Sequence, residues 1–334
     1  MKIISSRVLL ALAGFGALAL VAALLALAWT GGNHLKAGKS FRYDISELKL
    51  VDPKLMIGRE LTPITAPVTN PHALAVDGAN RIYVGGETEI AVLEADGRLV
   101  RKLPVEHPVT CLAVALDGVI YVGHRDRIVV LAQDGAFLAG WTPLGSNSVL
   151  TSLAVAEKEL FAADAGQRLV WRFDRNGRLL GRIGVKDKAR DLPGFIIPSP
   201  YFDLAIGPDG ALWVVDPGRH RLIEFTPAGD QVSSWERSGM DIEGFSGCCN
   251  PSHIAIRADG SFVTSEKGLV RIKIHTASGA LLGVLSAPGH FAEETRGIDL
   301  AVDSDGRILA LDSEKGRILV FTMETRGQKV EGGG

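Results

Sequence analysis

Residues 73–103 read ALAVDGANRIYVGGETEIAVLEADGRLVRKL, and residues 111–141 read CLAVALDGVIYVGHRDRIVVLAQDGAFLAGW. Each segment contains four short apolar runs, and an Asp-Gly dipeptide stands at two of the breaks between them. Asp-Gly favours tight turns because glycine adopts a positive φ without steric cost. Short runs rich in β-branched residues between such turns predict four antiparallel strands in each segment.

Four further segments repeat this pattern, beginning at Ser152, Asp203, His253 and Asp299. Their shared Leu/Ile-Ala-Val/Ile start recurs at intervals of 38 to 51 residues along the chain. A sheet of four short strands cannot bury both of its faces alone, so neighbouring repeats must cover one another. Six such repeats predict an all-β protein, a six-bladed β-propeller.

Two short motifs within the repeats resemble those of the NHL-repeat propellers. The first is a second strand that often ends in aspartate, at residues 161–164, 213–216 and 309–312. The second is an arginine before an aliphatic third strand, at Arg127, Arg168, Arg221 and Arg317. The resemblance covers about residues 70–322. It implies the fold but no single function, because that family includes enzymes, receptors and scaffolds.

The sixth repeat ends after its third strand, near Phe321. Another segment must supply the fourth strand, since an open sheet edge would expose unpaired backbone groups. Residues 55–61 (LMIGREL) resemble the fourth strand of the first repeat, at residues 97–103 (GRLVRKL). We therefore expect a propeller over residues 51–325 that this N-terminal strand closes, followed by a polar, disordered tail over residues 326–334.

Composition and charge restrict the class of partner. The chain has 334 residues, of which 46% are hydrophobic, and a formal net charge of −2. It has no compact basic stripe, no Walker sequence and no Gly-x-Gly-x-x-Gly loop. These features argue against a nucleic-acid partner.

The N-terminal region predicts a membrane segment. Residues 8–29 carry no charge, and Lys2 and Arg7 precede them. A helix of this length spans a bilayer, and the flanking positive charges predict a cytoplasmic N-terminus. The alternative is a cleaved signal peptide, because residues 26–28 (Ala-Leu-Ala) fit a cleavage site. We favour a membrane anchor over residues 1–33, a linker over 34–50, and a propeller on the periplasmic or extracellular side of the membrane.

Two of the three cysteines are adjacent, in the sequence FSGCCNP at residues 245–251. No Cys-x-x-Cys-His motif is present, which argues against covalently attached haem. An exported location favours disulfides. Cys248 and Cys249 could form a vicinal disulfide, or one of them could pair with Cys111. A structural staple and a ligand-facing, redox or metal-binding role both fit the pair, and we assign it with Asn250 to a predicted ligand-binding site.

Three long connections, at residues 184–201, 236–252 and 286–297, predict where that site lies. Each joins the outer strand of one blade to the inner strand of the next, so all three emerge on one rim above blades four to six. Elaborated loops on a rigid scaffold commonly carry function. The apolar run Phe195-Ile196-Ile197 in the first loop predicts an exposed lid or a partner surface, with Phe195 as a binding residue.

A second candidate site is the mouth of the central channel. Residues that precede the shared strand start should ring this mouth: Ala73, Cys111, Ser152, Asp203, His253 and Asp299. We predict a catalytic or metal-binding role for the last three, with Glu266 and His72 as additional binding residues. Carboxylates favour Ca²⁺, and converging histidines would favour Zn²⁺. The alternative is that the two aspartates bind backbone amides at the mouth.

Three functions are compatible with these patterns. The first is a membrane-anchored propeller that binds a small ligand, or a protein of a membrane complex, through the rim of blades four to six. The second is a metal-dependent hydrolase or lyase at the channel mouth. The third is thiol-redox support through the cysteine pair. We favour the binding function because no catalytic signature is recognisable, and a fold alone does not fix a function.

Overall fold

The structure, a computed structural model, describes residues 46–189 and 192–323. Within this part of the chain, 25 strands form six antiparallel sheets. Two short strands, β1 (Gly58–Glu60) and β2 (Ile64–Thr65), precede the first complete sheet. Four single turns of 3-10 helix lie outside the sheets, at Glu47–Lys49, Pro53–Leu55, Pro217–Arg219 and Pro288–His290.

Blades one to three each consist of four consecutive strands, ordered from the channel outward. Blade one contains β3 (Ala73–Val76), β4 (Ile82–Gly85), β5 (Glu89–Leu93) and β6 (Leu99–Pro104). Blade two contains β7 (Cys111–Val114), β8 (Ile120–Gly123), β9 (Ile128–Leu131) and β10 (Phe137–Gly140). Blade three contains β11 (Leu150–Val155), β12 (Glu159–Asp164), β13 (Leu169–Asp174) and β14 (Leu179–Ile183).

Blades four and five follow the same order, and blade six contributes three strands of its own. Blade four contains β15 (Leu204–Ile206), β16 (Leu212–Asp216), β17 (Arg221–Phe225) and β18 (Gln231–Glu236). Blade five contains β19 (His253–Ile256), β20 (Phe262–Ser265), β21 (Ile272–His275) and β22 (Leu281–Ser286). Blade six contains β23 (Asp299–Val302), β24 (Ile308–Asp312) and β25 (Arg317–Met323). The six-bladed propeller predicted from the repeats is confirmed.

The N-terminal segment completes blade six. Strand β1 pairs antiparallel with β25, and Gly58 lies opposite Met323. Strand β2 pairs with the beginning of β25, where Ile64 lies opposite Ile318. The outer edge of β25 is therefore covered by backbone pairing, as an exposed edge would otherwise invite association with another chain.

The turns within blades follow from the Asp-Gly dipeptides. At the turn between β5 and β6, Gly97 has a φ of +89°, which a residue with a side chain rarely adopts. The Asp96 carboxylate accepts a hydrogen bond of 2.9 Å from the Arg98 amide on the other side of the turn. The side chain and the glycine together specify a tight connection, which fixes the register of the two strands.

The hydrophobic core lies between adjacent blades. Trp213 of blade four contacts Phe262 of blade five edge to face, with ring centroids 4.8 Å apart. The innermost strands surround a channel cavity of about 260 Å³. Within the described residues no helix is long and apolar enough to cross a bilayer. The predicted membrane segment at residues 8–29 and the predicted tail lie outside the described residues.

Candidate functional site

The rim of blades four to six carries an open cavity of about 630 Å³. It lies among the connections 184–203, 237–252 and 287–298, whereas the corresponding connections of blades one and two span only residues 105–110 and 141–149. Its wall includes Ser199, Tyr201, Cys248, Cys249, Lys267 and Arg296. This volume lies within the range of sites for small molecules.

The two adjacent cysteines differ in their surroundings, although both line the cavity. Cys248 is exposed, Cys249 is buried, and both are free thiols with their sulfur atoms 3.1 Å apart. Burial disfavours a charged Cys249, but hydrogen bonds with Lys267 and Ser199 outweigh it, so the pKa of Cys249 is lowered. The hydrogen bond and the charge of Cys249 raise the pKa of Cys248. The pair is therefore polarised, with negative charge favoured on the buried sulfur.

Lys267 connects the thiols to an aromatic wall. Its ammonium nitrogen donates a hydrogen bond of 2.7 Å to Ser199 Oγ and lies 4.7 Å from the centroid of the Tyr201 ring. A cation above an aromatic face is an attractive arrangement. Burial raises the pKa of the Tyr201 hydroxyl, so this group stays protonated at neutral pH. The cavity thus combines two cations, Lys267 and Arg296, with a phenol and two thiols.

Tyr201 also links the rim cavity to the channel mouth. Its ring meets the His253 imidazole edge to face, with centroids 6.0 Å apart. His253 Nδ1 in turn lies 3.6 Å from Asp203 Oδ2 and 3.6 Å from Asp299 Oδ1. The three residues predicted from the ring of strand starts are therefore brought together, with the histidine between two carboxylates.

Each aspartate also binds the backbone of the next blade. Asp203 accepts hydrogen bonds from the amides of Leu204, at 2.9 Å, and of Ile254 in blade five, at 2.7 Å. Asp299 accepts from the amides of Leu300, at 2.8 Å, and of Leu74 in blade one, at 2.7 Å. These bonds join blade four to blade five and blade six to blade one. The backbone-binding alternative therefore describes both aspartates.

The electrostatics of this triad follow from burial and proximity. Burial raises the pKa of Asp299 to about 6, and the charge of Asp203 adds to this while His253 opposes it. Burial would lower the pKa of His253, but Asp203 and Asp299 outweigh it and raise that pKa. The two carboxylates therefore favour the protonated form of His253, an imidazolium able to donate a proton.

These residues do not fit the predicted metal ion. Within residues 46–189 and 192–323, no group of three or more His, Cys, Asp or Glu side chains is arranged to hold one. All four carboxylate oxygens of the triad already accept a hydrogen bond from a backbone amide. The structure therefore gives no support for Ca²⁺ or Zn²⁺ at the channel mouth, and we derive no chemistry through a metal.

Glu266 lies in a buried ionic cluster rather than in the cavity wall. Its carboxylate accepts from Arg271 at 2.7 and 2.9 Å and lies 2.9 Å from Lys273 Nζ. Burial lowers the pKa of Lys273 to about 8, although Glu266 opposes this. The two cations also donate to the carbonyls of residues 241, 242 and 244. The cluster therefore fixes the loop that carries the cysteines.

Asn250 fixes the other end of the same loop. Its amide nitrogen donates to the carbonyls of Ser246, at 2.6 Å, and Lys267, at 3.0 Å. Its amide oxygen accepts from the Lys267 backbone nitrogen at 2.9 Å. Asn250 thus holds the cysteine loop against the turn that presents Lys267. Its side chain positions the cavity wall, to which Asn250 itself belongs, and its predicted contact with a ligand stays a prediction.

The prediction that residues 195–197 form an exposed apolar lid is wrong for Phe195 and Ile197. Phe195 and Ile197 are each 6% exposed, whereas Ile196 is 44% exposed. The loop folds back onto blade four, where the Phe195 ring meets Phe225 with centroids 6.0 Å apart, and it also packs on Phe202 of its own loop at 5.0 Å. Gly184 permits this approach, since a Cβ there would lie 1.9 Å from the Phe195 ring.

His72 is exposed at the start of blade one, and its backbone amide bonds the Gly85 carbonyl at 2.8 Å. It lines neither the channel cavity nor the rim cavity. Three residues that do belong to the rim site, Ser199, Tyr201 and Lys267, were not predicted. The usable signal for Lys267 was its place directly after Glu266, at the end of a second strand.

Comparisons with known proteins agree with the fold. No protein-family model and no curated protein sequence match this chain. A streptogramin B lyase structure is 14% identical, covers 82% of this chain and 100% of its own, and has a TM-score of 0.57. A selenomethionine-substituted virginiamycin B lyase from Staphylococcus aureus is 17% identical, covers 76% and 81%, and scores 0.53.

A catalytically inactive His-to-Ala variant of virginiamycin B lyase from Staphylococcus aureus, with quinupristin, is 15% identical. It covers 80% of this chain and 99% of its own, with a TM-score of 0.56. Identities this low establish the architecture alone. The resemblance to the NHL-repeat propellers therefore holds at the level of the fold.

Proposed function

We propose that this chain is an exported, membrane-anchored propeller that binds a small organic anion in the rim cavity over blades four to six. The observation that carries the proposal is the convergence of three long loops on one open cavity with Lys267 in its wall. The charge-free segment at residues 8–29 supports the membrane anchor and the periplasmic or extracellular location.

The cavity indicates the chemistry of the ligand. The Lys267 ammonium can donate to a carboxylate or a similar anion, and Tyr201 provides an aromatic surface beside it. Arg296 adds a second cation at the wall, while Glu293 and Glu294 disfavour a ligand of high negative charge. A small monovalent anion with an apolar or aromatic body fits this combination.

Binding of a small molecule has better support than binding of a membrane-complex protein. The protein-partner hypothesis depended on an exposed apolar loop, and only Ile196 of the three residues in that run is exposed. A single exposed side chain is common on a protein surface and does not mark an interface. The cavity, by contrast, is concave and has polar groups at defined positions.

A binding test uses the full-length chain and a panel of benzoate, 4-hydroxybenzoate, acetate and citrate. We expect benzoate-type anions to raise the Tm in a concentration-dependent way, as any ligand of the folded state does. Lys267→Ala should abolish the rise. Lys158 is an exposed lysine in the turn between β11 and β12, and Lys158→Ala should retain the rise in Tm. A panel without any Lys267-dependent rise would contradict the proposal.

A second candidate is a lyase or hydrolase that uses His253 as its proton donor. The observation in its favour is the position of the imidazole between two carboxylates and against Tyr201, which borders the rim cavity. The lyase names of the similar structures are compatible with it. His253→Ala separates the two functions: it should stop any turnover of a bound compound while the Tm rise persists.

A further inference from the structure

The cysteine pair is unused by the proposed binding function, yet its environment is asymmetric. Cys248 is exposed to the cavity, whereas Cys249 is 3% exposed. A disulfide bond of about 2.05 Å would require the two sulfur atoms, now 3.1 Å apart, to approach by about 1 Å. An external reagent can therefore reach the Cys248 sulfur, and the Cys249 sulfur is close enough to react with Cys248.

The surroundings stabilise one particular thiolate. Lys267 and Ser199 both lower the pKa of Cys249, whereas the main influence on the pKa of Cys248 is Cys249 itself. Lys267 is held in place from two sides, by Ser199 Oγ and by the amide of Asn250. A thiolate with a cationic partner departs more readily from a disulfide.

We propose that Cys248 and Cys249 form a reversible dithiol–disulfide couple that exchanges with small thiols and their disulfides. Cys248 is the sulfur that forms a mixed disulfide with the external reagent. Cys249 is the internal sulfur that attacks this mixed disulfide during oxidation and is the leaving group during reduction. The cysteine couple lies in the same rim cavity as the proposed ligand site, and this shared location is the only way in which it rests on the proposed function.

A small disulfide oxidises the pair in two steps. Cys248 loses its proton to solvent and attacks one sulfur of a small disulfide such as oxidised glutathione, whose S–S bond breaks, and the thiolate that leaves takes up a proton. The Cys249 thiolate then attacks the Cys248 sulfur and expels the second small thiolate. The protein loses two electrons and two protons, and the small disulfide becomes two thiols. In the reverse direction a small thiolate attacks Cys248, and Cys249 departs beside the Lys267 ammonium.

The supporting framework keeps this chemistry at one position. Asn250, the residue directly after the pair, is fixed by its hydrogen bonds to the Ser246 and Lys267 carbonyls, and the buried cluster around Glu266 fixes the loop before the pair. The third cysteine provides an internal control. Burial raises the pKa of Cys111 to about 12, so this thiol should not react under the same conditions.

The experiment equilibrates the full-length protein in buffers of varied reduced and oxidised glutathione, followed by acid quenching and alkylation. Trypsin releases residues 238–257, which contain both cysteines, so mass spectrometry reports the oxidised fraction of the pair. We expect reversible, two-electron oxidation within the glutathione range, with Cys111 alkylated only after denaturation.

Lys267→Met tests the role of the cation and retains much of the side-chain length. We expect about a tenfold shift of the glutathione equilibrium constant toward the disulfide, which corresponds to about 30 mV, and slower reduction by dithiothreitol. Lys315→Met, an exposed lysine of the same rim outside the cavity, should match the wild type. Ser199→Ala should also shift the glutathione equilibrium constant toward the disulfide, but by less than Lys267→Met does.

Two results would overturn the proposal: a pair that stays reduced at every glutathione ratio, or one whose constant is unaffected by both Lys267→Met and Ser199→Ala. Thermal melting of each variant checks that the protein is folded. The benzoate titration of a Cys248→Ser/Cys249→Ser variant separates the two proposals. A persistent Tm rise beside an inert pair would leave ligand binding intact, and exchange without any Tm rise would leave only the couple.

Discussion

Blades five and six both contain the tetrapeptide Ser-Glu-Lys-Gly, at residues 265–268 and 313–316, but they place it in different registers. In blade five His253 pairs with Ser265, whereas in blade six Asp299 pairs with Leu311. The structural counterpart of Glu266 is therefore Asp312, and that of Lys267 is Ser313. Glu266 is buried and Lys267 reaches the rim cavity, whereas Glu314 and Lys315 are exposed. Position in the strand, and not local sequence, decides what these residues do.

The strongest test of this comparison removes each glutamate in turn. Glu266→Ala should lower the free energy of unfolding by about 3–5 kcal/mol, because it leaves Arg271 and Lys273 buried without their anion. Glu314→Ala should leave the free energy of unfolding unchanged within experimental error. Urea denaturation of both variants measures the difference. Equal effects would show that the two registers are not energetically distinct.

A second test concerns the first residue of each blade, His253 in blade five and Asp299 in blade six. Asp299 has a pKa of about 6 in the folded protein against an ordinary 3.8, so the folded state binds its proton more tightly. Stability should therefore fall as the pH rises from about 4 to 6, by roughly 3 kcal/mol. The pKa of His253 is also raised, and its contribution is lost as the pH rises through the folded value. Both groups therefore make the folded protein less stable as the pH rises.

Urea denaturation of the wild type and of Asp299→Asn between pH 4 and 8 measures this contribution. The variant should show a shallower decline over the lower part of the range, because an amide at position 299 takes up no proton in either the folded or the unfolded state. Asp305→Asn, at an exposed position in the same blade, should keep the wild-type slope. The idea fails if Asp299→Asn and the wild type decline in parallel.

The smallest effect is expected at Asp312, the counterpart of Glu266. Its carboxylate binds Arg317 Nε at 3.1 Å, but the Arg317 side chain is 25% exposed. Asp312→Ala should therefore cost about 1–3 kcal/mol, since the released guanidinium can reach water. A cost equal to that of Glu266→Ala would contradict the importance of the fully buried cluster in blade five.

The repeats predicted the blades because each strand is bounded by local turn chemistry that needs no tertiary information. They also predicted the meeting of Asp203, His253 and Asp299, since equivalent positions of a ring converge on its axis. Phe195 was misjudged because an apolar residue in a long loop can face a partner or fold back, and only its packing on Phe225 of blade four decides between them.

Lys267 and Tyr201 were missed for a different reason. They reach the rim cavity from two separate connections, the turn after β20 and the loop before β15, and meet the cysteine loop only in three dimensions. No spacing in the sequence reports such a meeting. The metal hypothesis found no support, and the sequence could not show that backbone amides already donate to the carboxylate oxygens.

The pairing of Gly58 with Met323 has a consequence for the order in which the protein assembles. These partners are separated by nearly the whole described chain, and closing a loop of this length costs on the order of 5 kcal/mol in entropy. During synthesis, blades one to five can be completed while the last residues are still missing. Blade six must wait until β25 has been made, so the ring closes only after the ribosome has translated Met323.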